Sequence, residues 1–187
     1  YRQIMRHEVD FLVIGSGIAG LSFALKVAPY GKVCILTKAD ASEGSTKYAQ
    51  GGIAAVMYDS DSFAKHIEDT LIAGDGICNR EVVEMTISEA PERIKELVKY
   101  GVNFDKEGGR FDLHREGGHS EFRILHHKDN TGEEIERGLL QAIHDHPNIE
   151  LKENQFAIAL ITQHHLGKTV TKHTPDIECY GVYALNG

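Results

Sequence analysis

Residues 9–28, VDFLVIGSGIAGLSFALKVA, join one apolar run to another through a glycine-rich turn. The turn has the form G-x-G-x-x-G, with Gly15, Gly17 and Gly20 at the three glycine positions. In such a pattern the first glycine makes the tight turn, the second admits backbone close to a pyrophosphate, and the third lets a helix pack on a strand. The N–H groups at the helix N-terminus then face the diphosphate charge. The order strand, turn, helix therefore predicts a dinucleotide-binding turn, and a glycine-rich turn without a ligand is the alternative.

The residues around this turn predict the start of a parallel sheet. The runs 9–14 and 32–37 are apolar at nearly every position, which is typical of strands buried on both faces. Between them, residues 21–28 predict a helix that ends at Pro29-Tyr30-Gly31. An NAD-binding unit would carry an acidic residue at the end of the second strand. Lys38 stands there instead, which is either a surface cation or a positive group beside an adenosine.

The middle of the chain predicts helices. Residues 61–103 have helical periodicity, with Asn79 as a cap and Pro91 as a point where the helix breaks or kinks. Thr131 and Glu134 match a capping box that opens another helix.

Extended segments surround and follow that second helix. Residues 111–130 lack a clean period and predict a loop with short extended pieces. Strands are predicted at 149–152, 156–162 and 177–185. The fold class is therefore α/β, with a parallel sheet, a helical insertion and additional β strands.

Composition excludes several classes of partner. The 187 residues are 41% hydrophobic, enough for a core, and carry a formal charge of −8 that disfavours nucleic acid and anionic membranes. No apolar run is long enough to span a bilayer. Three cysteines without a C-x-x-C pair predict reduced thiols and a cytoplasmic protein. A small-molecule partner is the remaining expectation.

Three further motifs carry a resemblance to a known family. They are GSTKYAQGG at 44–52, EDTLIAGDGICN at 68–79 and REGGHSEFRILHHKDNTG at 115–132. Together with Lys38 they resemble the flavoprotein family of succinate dehydrogenase, fumarate reductase and L-aspartate oxidase. The third motif resembles the L-aspartate oxidase branch in particular. The resemblance implies a Rossmann-like FAD-binding domain, incomplete in this chain.

The resemblance also implies which residues contact FAD. In the glycine-rich turn and after the second strand they are Gly15, Ser16, Gly17, Ile18, Ala19, Gly20 and Lys38. In the following loop they are Ser45, Thr46, Lys47, Tyr48, Ala49, Gln50, Gly51 and Gly52, and in a later strand Phe156 and Ala157. Ser45 occupies the position where respiratory members carry the histidine that bonds to the flavin. A serine has no imidazole nitrogen, so the resemblance implies non-covalent FAD.

Glu116 matches the glutamate that orients the substrate in this family. A carboxylate can accept a charge-assisted hydrogen bond from the ammonium of L-aspartate, a group that succinate lacks. From the residues alone, a pairing of Glu116 with Arg115 or Arg123 is the competing interpretation.

The implied reaction is oxidation of L-aspartate to iminoaspartate, with electrons passed to O2 or fumarate. This is the first step of NAD biosynthesis, and quinolinate synthase is the implied downstream partner. A fumarate reductase or succinate dehydrogenase type of flavoprotein and a non-catalytic nucleotide-binding fragment stay open as alternatives.

The sequence predicts no metal site. His114, Glu116 and His119 are the densest cluster, but Gly117-Gly118 between them disfavours the helix that an H-E-x-x-H zinc site requires.

The chain is expected to be the N-terminal part of one FAD-binding domain, with no turnover of its own. Within it, residues 1–59 hold the βαβ unit and flavin loop, 60–149 are mainly helical, and 150–187 return as strands. Capping and C-terminal domains, with the remaining catalytic residues, are expected beyond Gly187.

Overall fold

The computed structural model describes residues 5–186, and the expectations that concern Tyr1 and Gly187 lie outside the described residues. The strands are β1 (Phe11–Ile14), β2 (Val33–Leu36), β3 (Ile53–Ala54), β4 (Lys106–Glu107), β5 (Arg110–Phe111), β6 (Leu113–His114), β7 (Ile124–Leu125), β8 (Ile149–Lys152), β9 (Gln155–Thr162) and β10 (Cys179–Asn186). The helices are α1 (Ile18–Val27), α2 (Phe63–Ala73), α3 (Arg80–Lys99) and α4 (Thr131–His144), with 3-10 turns at Ala28–Tyr30 and Gln163–Leu166. The predicted mixed α/β class is confirmed.

The chain forms two compact units. The first unit contains the residues up to Gly44 and those from Ala142 onward, and the second unit contains Ser45–Gln141. Each unit contains part of the predicted site.

The first unit is built on a parallel sheet with the strand order β1-β2-β8. Phe11 pairs with Val33, and Val33 also pairs with Ile149, so β2 lies in the centre. All four residues of β2 are buried, as the apolar run predicts. Strands β9 and β10 form a separate antiparallel pair. The carboxyl ends of β1 and β2 therefore lie side by side, where open parallel sheets bind ligands.

The prediction that β1 is buried on both faces is wrong for the described chain. Only Val13 is buried, whereas Leu12 and Ile14 are 36% and 51% exposed. Successive side chains of a strand point to opposite faces, so Val13 lies on the covered face, whereas Leu12 and Ile14 lie on the face that the described residues leave open.

The second unit contains the predicted helical segment as α2 and α3. Asn79 caps α3, since its side chain accepts a hydrogen bond from the Val82 backbone N–H. Of the break or kink predicted at Pro91, the break does not occur, because α3 runs from Arg80 to Lys99 through Pro91. Ile87, Ile94 and Leu97 are buried along one side. Burial of that side stabilises the helix enough to offset the loss of one backbone hydrogen bond, because proline has no N–H to donate.

Helix α4 begins at Thr131 as predicted, but the capping box does not form. The hydroxyl of Thr131 accepts from the His127 backbone N–H, and the Glu134 N–H donates to the Asn130 carbonyl. The Glu134 carboxylate instead accepts from the backbone and side chain of Asn103.

A bidentate pair with Arg137 completes the environment of the Glu134 carboxylate. Hydrogen bonding from Arg137, followed by that from Asn103, lowers the pKa of Glu134 to about 2 despite partial burial. The buried stripe of α4 is Ile135, Leu139 and Ile143, as its periodicity predicts.

The segment 111–130 forms a loop with short strands, as predicted. Strands β3, β7 and β6 make a small antiparallel sheet in that order, in which Ile53 pairs with Leu125 and His114 pairs with Ile124. This sheet joins the end of the predicted flavin loop to the segment that carries Glu116. Among residues 5–186, no helix is long and apolar enough to cross a membrane.

Candidate functional site

The glycine-rich turn has the geometry that its pattern predicts. Gly15 has φ +104°, a conformation that favours glycine, and its N–H donates to the Leu36 carbonyl at 2.8 Å. A side chain at Gly20 would collide with the Gly15 carbonyl oxygen and approach the Val13 side chain. Gly20 therefore allows α1 to lie directly against the end of β1.

The start of α1 is suited to an anion. Gly17 is the residue before the helix, no side chain of the described chain caps it, and the first turn carries no acidic residue. The first N–H groups of a helix have no intrahelical acceptors and carry partial positive charge. A diphosphate can therefore bind them, which is the fit that a dinucleotide cofactor requires.

Three segments of the first unit meet at the end of β2. The Ser16 hydroxyl is 3.2 Å from the Thr37 hydroxyl, and both residues are buried. The Gln155 N–H donates to the Thr37 carbonyl at 2.9 Å, which places the start of β9 beside the residue that precedes Lys38. The turn, the residue before Lys38 and the start of β9 are thus brought together at one end of the sheet.

The predicted adenosine contacts are open to solvent in the described chain. Lys38 is exposed, Phe156 is 56% exposed, and Ala157 is half-buried. Ile18 is half-buried and Ala19 is exposed at the first turn of α1. These side chains are therefore accessible to a ligand.

The predicted flavin loop, residues 45–52, lies in the second unit and is largely exposed. Ser45, Tyr48, Ala49, Gln50 and Gly51 are exposed, while Thr46, Lys47 and Gly52 are half-buried. The end of the loop packs closely against the backbone of Leu125, so a side chain at Gly52 would collide with the Leu125 carbonyl oxygen. Its middle is held by α4, since the Gly132 N–H donates to the Ala49 carbonyl at 3.0 Å.

A cavity of about 180 Å³ lies between this loop and the start of α4. Its lining is formed by Lys47–Gln50, Asp129, Asn130 and Glu133.

Glu116 lies next to the flavin loop. A Cβ atom built at Gly51 would be 3.0 Å from Glu116 Oε1, so the carboxylate occupies the space that the missing side chain leaves. Within residues 5–186, the Glu116 side chain has no hydrogen bond or ion pair. Its carboxylate is exposed and is available as an acceptor.

The competing pairing of Glu116 with an arginine is wrong. The Arg115 guanidinium lies over the Phe122 ring, 5.4 Å from its centre. Arg123 is fully buried and binds Asp61 in a bidentate pair, with contacts of 2.7 and 2.8 Å.

Arg123 is the centre of a cluster that sequence reasoning missed. Besides Asp61 it binds Asp69, with Nη1 2.6 Å from Oδ2. The same Asp69 oxygen accepts hydrogen bonds from the Ser120 backbone N–H and hydroxyl, each at 2.8 Å. Partial burial opposes ionisation, but the bonds from Ser120 and Arg123 lower the pKa of Asp69 to about 2. The loop that carries Glu116 is thus tied to α2 four residues after Glu116.

A histidine pair packs beside this cluster. The rings of His66 and His119 have centres 5.8 Å apart, and His66 is 6% exposed. Burial, and then the charge of Arg123, lower the pKa of His66, so its ring is neutral at pH 7. A neutral ring avoids repulsion with the buried guanidinium.

Comparison with known proteins agrees with this geometry. The family described as "FAD binding domain" matches residues 10–186, nearly the whole chain. The chain belongs to this FAD-binding domain family. FAD is the cofactor of the family, and the turn at Gly15–Gly20 meets the requirement of its diphosphate.

Two curated relatives in the family are named L-aspartate oxidase. The chloroplastic protein of rice (Oryza sativa subsp. japonica) is 50% identical over 178 residues, 95% of this chain and 26% of that protein. The Vibrio cholerae protein is 50% identical over 172 residues, 89% of this chain and 32% of that protein. The chain therefore spans about a quarter to a third of the length of the relatives it matches.

A solved structure supports the fold. An Escherichia coli quinol fumarate reductase matches with a TM-score of 0.84 and 26% identity, over 98% of this chain and 30% of that chain. The predicted resemblance to the succinate dehydrogenase, fumarate reductase and L-aspartate oxidase flavoproteins is confirmed.

Proposed function

We propose that the protein containing this chain is an L-aspartate oxidase that binds FAD without a covalent bond and converts L-aspartate to iminoaspartate. The roughly half-identical relatives named L-aspartate oxidase support this proposal. The electrons pass to O2 or fumarate, and iminoaspartate is consumed by quinolinate synthase in NAD biosynthesis. The chain is the N-terminal part of one FAD-binding domain, and the remaining catalytic residues belong to the rest of the protein.

The first unit holds the nucleotide end of the cofactor. The glycine-rich turn and the start of α1 hold the diphosphate, because Gly17 has no side-chain cap among residues 5–186 and the first turn carries no acidic residue. Lys38 and the backbone of Phe156 and Ala157 contact the adenosine. Support comes from the Gln155–Thr37 and Ser16–Thr37 contacts, which bring these segments to one edge.

The second unit holds the flavin end. The backbone and hydroxyls of residues 45–52 line the ring, and Gly51 and Gly52 allow close approach. Ser45 has no imidazole, so the flavin stays dissociable. Acid precipitation of the full-length protein should therefore leave the yellow chromophore in the supernatant. Flavin retained in the pellet would contradict this assignment of Ser45.

Glu116 orients the substrate, and its unpaired carboxylate beside Gly51 is the observation that carries the proposal. The substrate ammonium donates a charge-assisted hydrogen bond to this carboxylate, which places the amino-bearing carbon of aspartate beside the flavin loop. FAD, when bound, would supply the hydride acceptor for that carbon. Because Arg115 and Arg123 are otherwise engaged, neither neutralises Glu116.

The test compares two reductants of the flavin in the full-length protein. Aspartate should bleach the flavin absorbance rapidly and succinate slowly. Glu116→Gln should lower kcat/KM for aspartate about 10- to 100-fold, the loss of one hydrogen bond between charged groups, with little effect on succinate. Glu121→Gln is the matched control, because Glu121 lies in the same loop but pairs with Lys65.

The alternatives predict other results. A fumarate reductase or succinate dehydrogenase, favoured by the likeness to the E. coli quinol fumarate reductase, would be reduced by succinate and would not respond to aspartate. A non-catalytic nucleotide-binding protein would bind FAD without bleaching with either dicarboxylate. The three cysteines are free thiols, which supports a reducing compartment such as the cytoplasm.

A further inference from the structure

Two histidines and one aspartate form a cluster that the proposed reaction does not use. His114 lies in β6, His126 directly follows β7, and Asp112 precedes β6. Because His114 pairs with Ile124 across the two strands, His126 is its diagonal neighbour on the same face. The two rings are stacked, with centres 3.7 Å apart.

His126 is the unusual member of the cluster. It is 6% exposed, and neither ring nitrogen has a hydrogen bond within the described residues. Buried polar side-chain atoms almost always have a partner, so a buried imidazole with two unmatched nitrogens points to a missing ligand.

The ring of His126 faces a carboxylate on each side. Its Nε2 is 3.5 Å from Asp112 Oδ2, and its Nδ1 is 3.4 Å from Asp105 Oδ2. Asp105 is itself fixed, since its Oδ2 accepts from the Lys128 N–H at 2.7 Å. A histidine that binds a metal through one nitrogen commonly donates the other N–H to a carboxylate, which fixes the tautomer.

We propose that Asp112, His114 and His126 form a binding site for a divalent first-row transition ion, with Zn²⁺ as the best match. One ligand atom from each of the three residues lies within 4.8 Å of the others. His114 Nε2 is 3.8 Å from the same Asp112 oxygen that faces His126. Bond lengths of about 2.0–2.1 Å place the ligands of a tetrahedral zinc roughly 3.3–3.4 Å apart, close to the 3.5 and 3.8 Å that separate the Asp112 oxygen from the two histidine nitrogens.

The adjustment is available at His114. Its side chain is 59% exposed and can turn out of the stack to aim Nε2 at the ion, whereas His126 stays fixed by burial and by Asp105. Two imidazoles and one carboxylate suit zinc better than Mg²⁺ or Ca²⁺, which prefer oxygen ligands. Water completes the fourth position from the open side.

The sequence pattern gave no sign of this site. The densest histidine cluster along the chain includes His119, but that ring packs against His66 instead. The ligands are at 112, 114 and 126, a spacing that becomes a site only when β6 pairs with β7. An ion there would join the two ends of the loop that carries Glu116.

The test uses the full-length protein, freed of metal with a chelator and titrated calorimetrically with Zn²⁺. One ion per chain should bind, and His114→Ala should weaken binding at least tenfold; since His114 is exposed, this variant should fold. Asp105→Asn removes the negative charge that faces His126 and His127 but keeps an amide oxygen that can accept from the Lys128 N–H, and it should weaken binding about 10- to 100-fold. His164→Ala is the control, because this exposed histidine lies outside the cluster and should leave binding unchanged.

Cobalt substitution distinguishes this site from the other group of potential ligands, His7, Cys34 and Glu150. Co²⁺ bound at the proposed site should show visible d–d bands without a thiolate charge-transfer band. Absence of Zn²⁺ binding, a thiolate band, or affinity unchanged in His114→Ala would overturn the proposal. None of these readouts depends on flavin or aspartate, so they are independent of the proposed function.

Discussion

The two units hold their parts of the predicted site by different physical means. In the first unit the turn is shaped by backbone, through the positive φ of Gly15 and the close packing at Gly20. In the second unit the loop of Glu116 is held by side chains, through the buried charges around Arg123. The glycine-rich turn depends on two positions having no side chain. The Arg123 cluster depends on each of its charged side chains being present. The units should therefore fail in different ways.

The largest effect is expected from Arg123→Ala. It leaves the buried Asp61 and the half-buried Asp69 without their counter-charge, and should destabilise the second unit by about 3–5 kcal/mol. Native-state hydrogen exchange of amides in each unit of the full-length protein measures this. Lys65→Ala removes a solvent-exposed pair with Glu121 and should change stability far less than Arg123→Ala. Equal losses in the two variants would mean that the buried cluster has no special role.

Gly20→Ala tests the close backbone packing of the glycine-rich turn. The added methyl meets the Gly15 carbonyl oxygen, so the turn must open, at a cost of about 3 kcal/mol. The purified protein should retain little FAD, as read from its flavin absorbance, and exchange should increase in the first unit. Gly117→Ala is the control for folding, because a Cβ there would have no neighbour within 4 Å. Full FAD retention in Gly20→Ala would show that the close packing is dispensable.

Low pH should destabilise the second unit through protonation of Asp69. The pKa of Asp69 falls from 3.8 to about 2 on folding, so the unfolded chain takes up the proton first as pH falls. This carboxylate should contribute about 2 kcal/mol of stability above pH 4, lost progressively between pH 4 and pH 2. Hydrogen exchange of the second unit across this range measures the loss. Asp69→Asn should reduce the dependence of the second unit's stability on pH. An unchanged pH dependence would mean that other groups cause the acid sensitivity.

The smallest effect is expected from Lys38→Ala. Lys38 is exposed, and one solvated charge near a nucleotide contributes about 0.5–1 kcal/mol. FAD should dissociate with a Kd about two- to fivefold higher, measured by flavin fluorescence on titration of the apoprotein. Lys168→Ala should leave the Kd unchanged. A loss of binding comparable to that of Gly20→Ala would give Lys38 a much larger part in cofactor recognition.

The difference between a local backbone turn and a cluster of distant side chains also explains which parts of the site could be predicted from the sequence. The glycine-rich turn is local, since six consecutive residues set its backbone, and its strand and helix were predictable from periodicity. The Arg123 cluster is not local, because Asp61, Asp69 and Ser120 meet only after α2 packs beside the loop. No sequence pattern distinguishes Asp61 and Asp69, which pair with Arg123, from aspartates that are exposed to solvent.

Local rules also failed where packing outweighed them. Pro91 should interrupt α3, but the buried side of the helix keeps it continuous. Thr131 and Glu134 spell a capping box, yet Asn103 and Arg137 bind the glutamate more effectively than the Thr131 N–H would. For Glu134 one of the deciding contacts comes from Asn103, 31 residues away along the chain, which no local pattern could indicate.

The glycines of the flavin loop limit how this protein can diverge. Gly52 is closed by the Leu125 carbonyl, and Gly51 has φ +82°, a conformation that L side chains rarely adopt. Side-chain variation is therefore disfavoured at these two positions and directed to exposed residues such as Tyr48 and Gln50. A library randomised across residues 45–52 should yield folded members that differ at such exposed residues while keeping both glycines. Natural change in flavin environment would then follow the same narrow route.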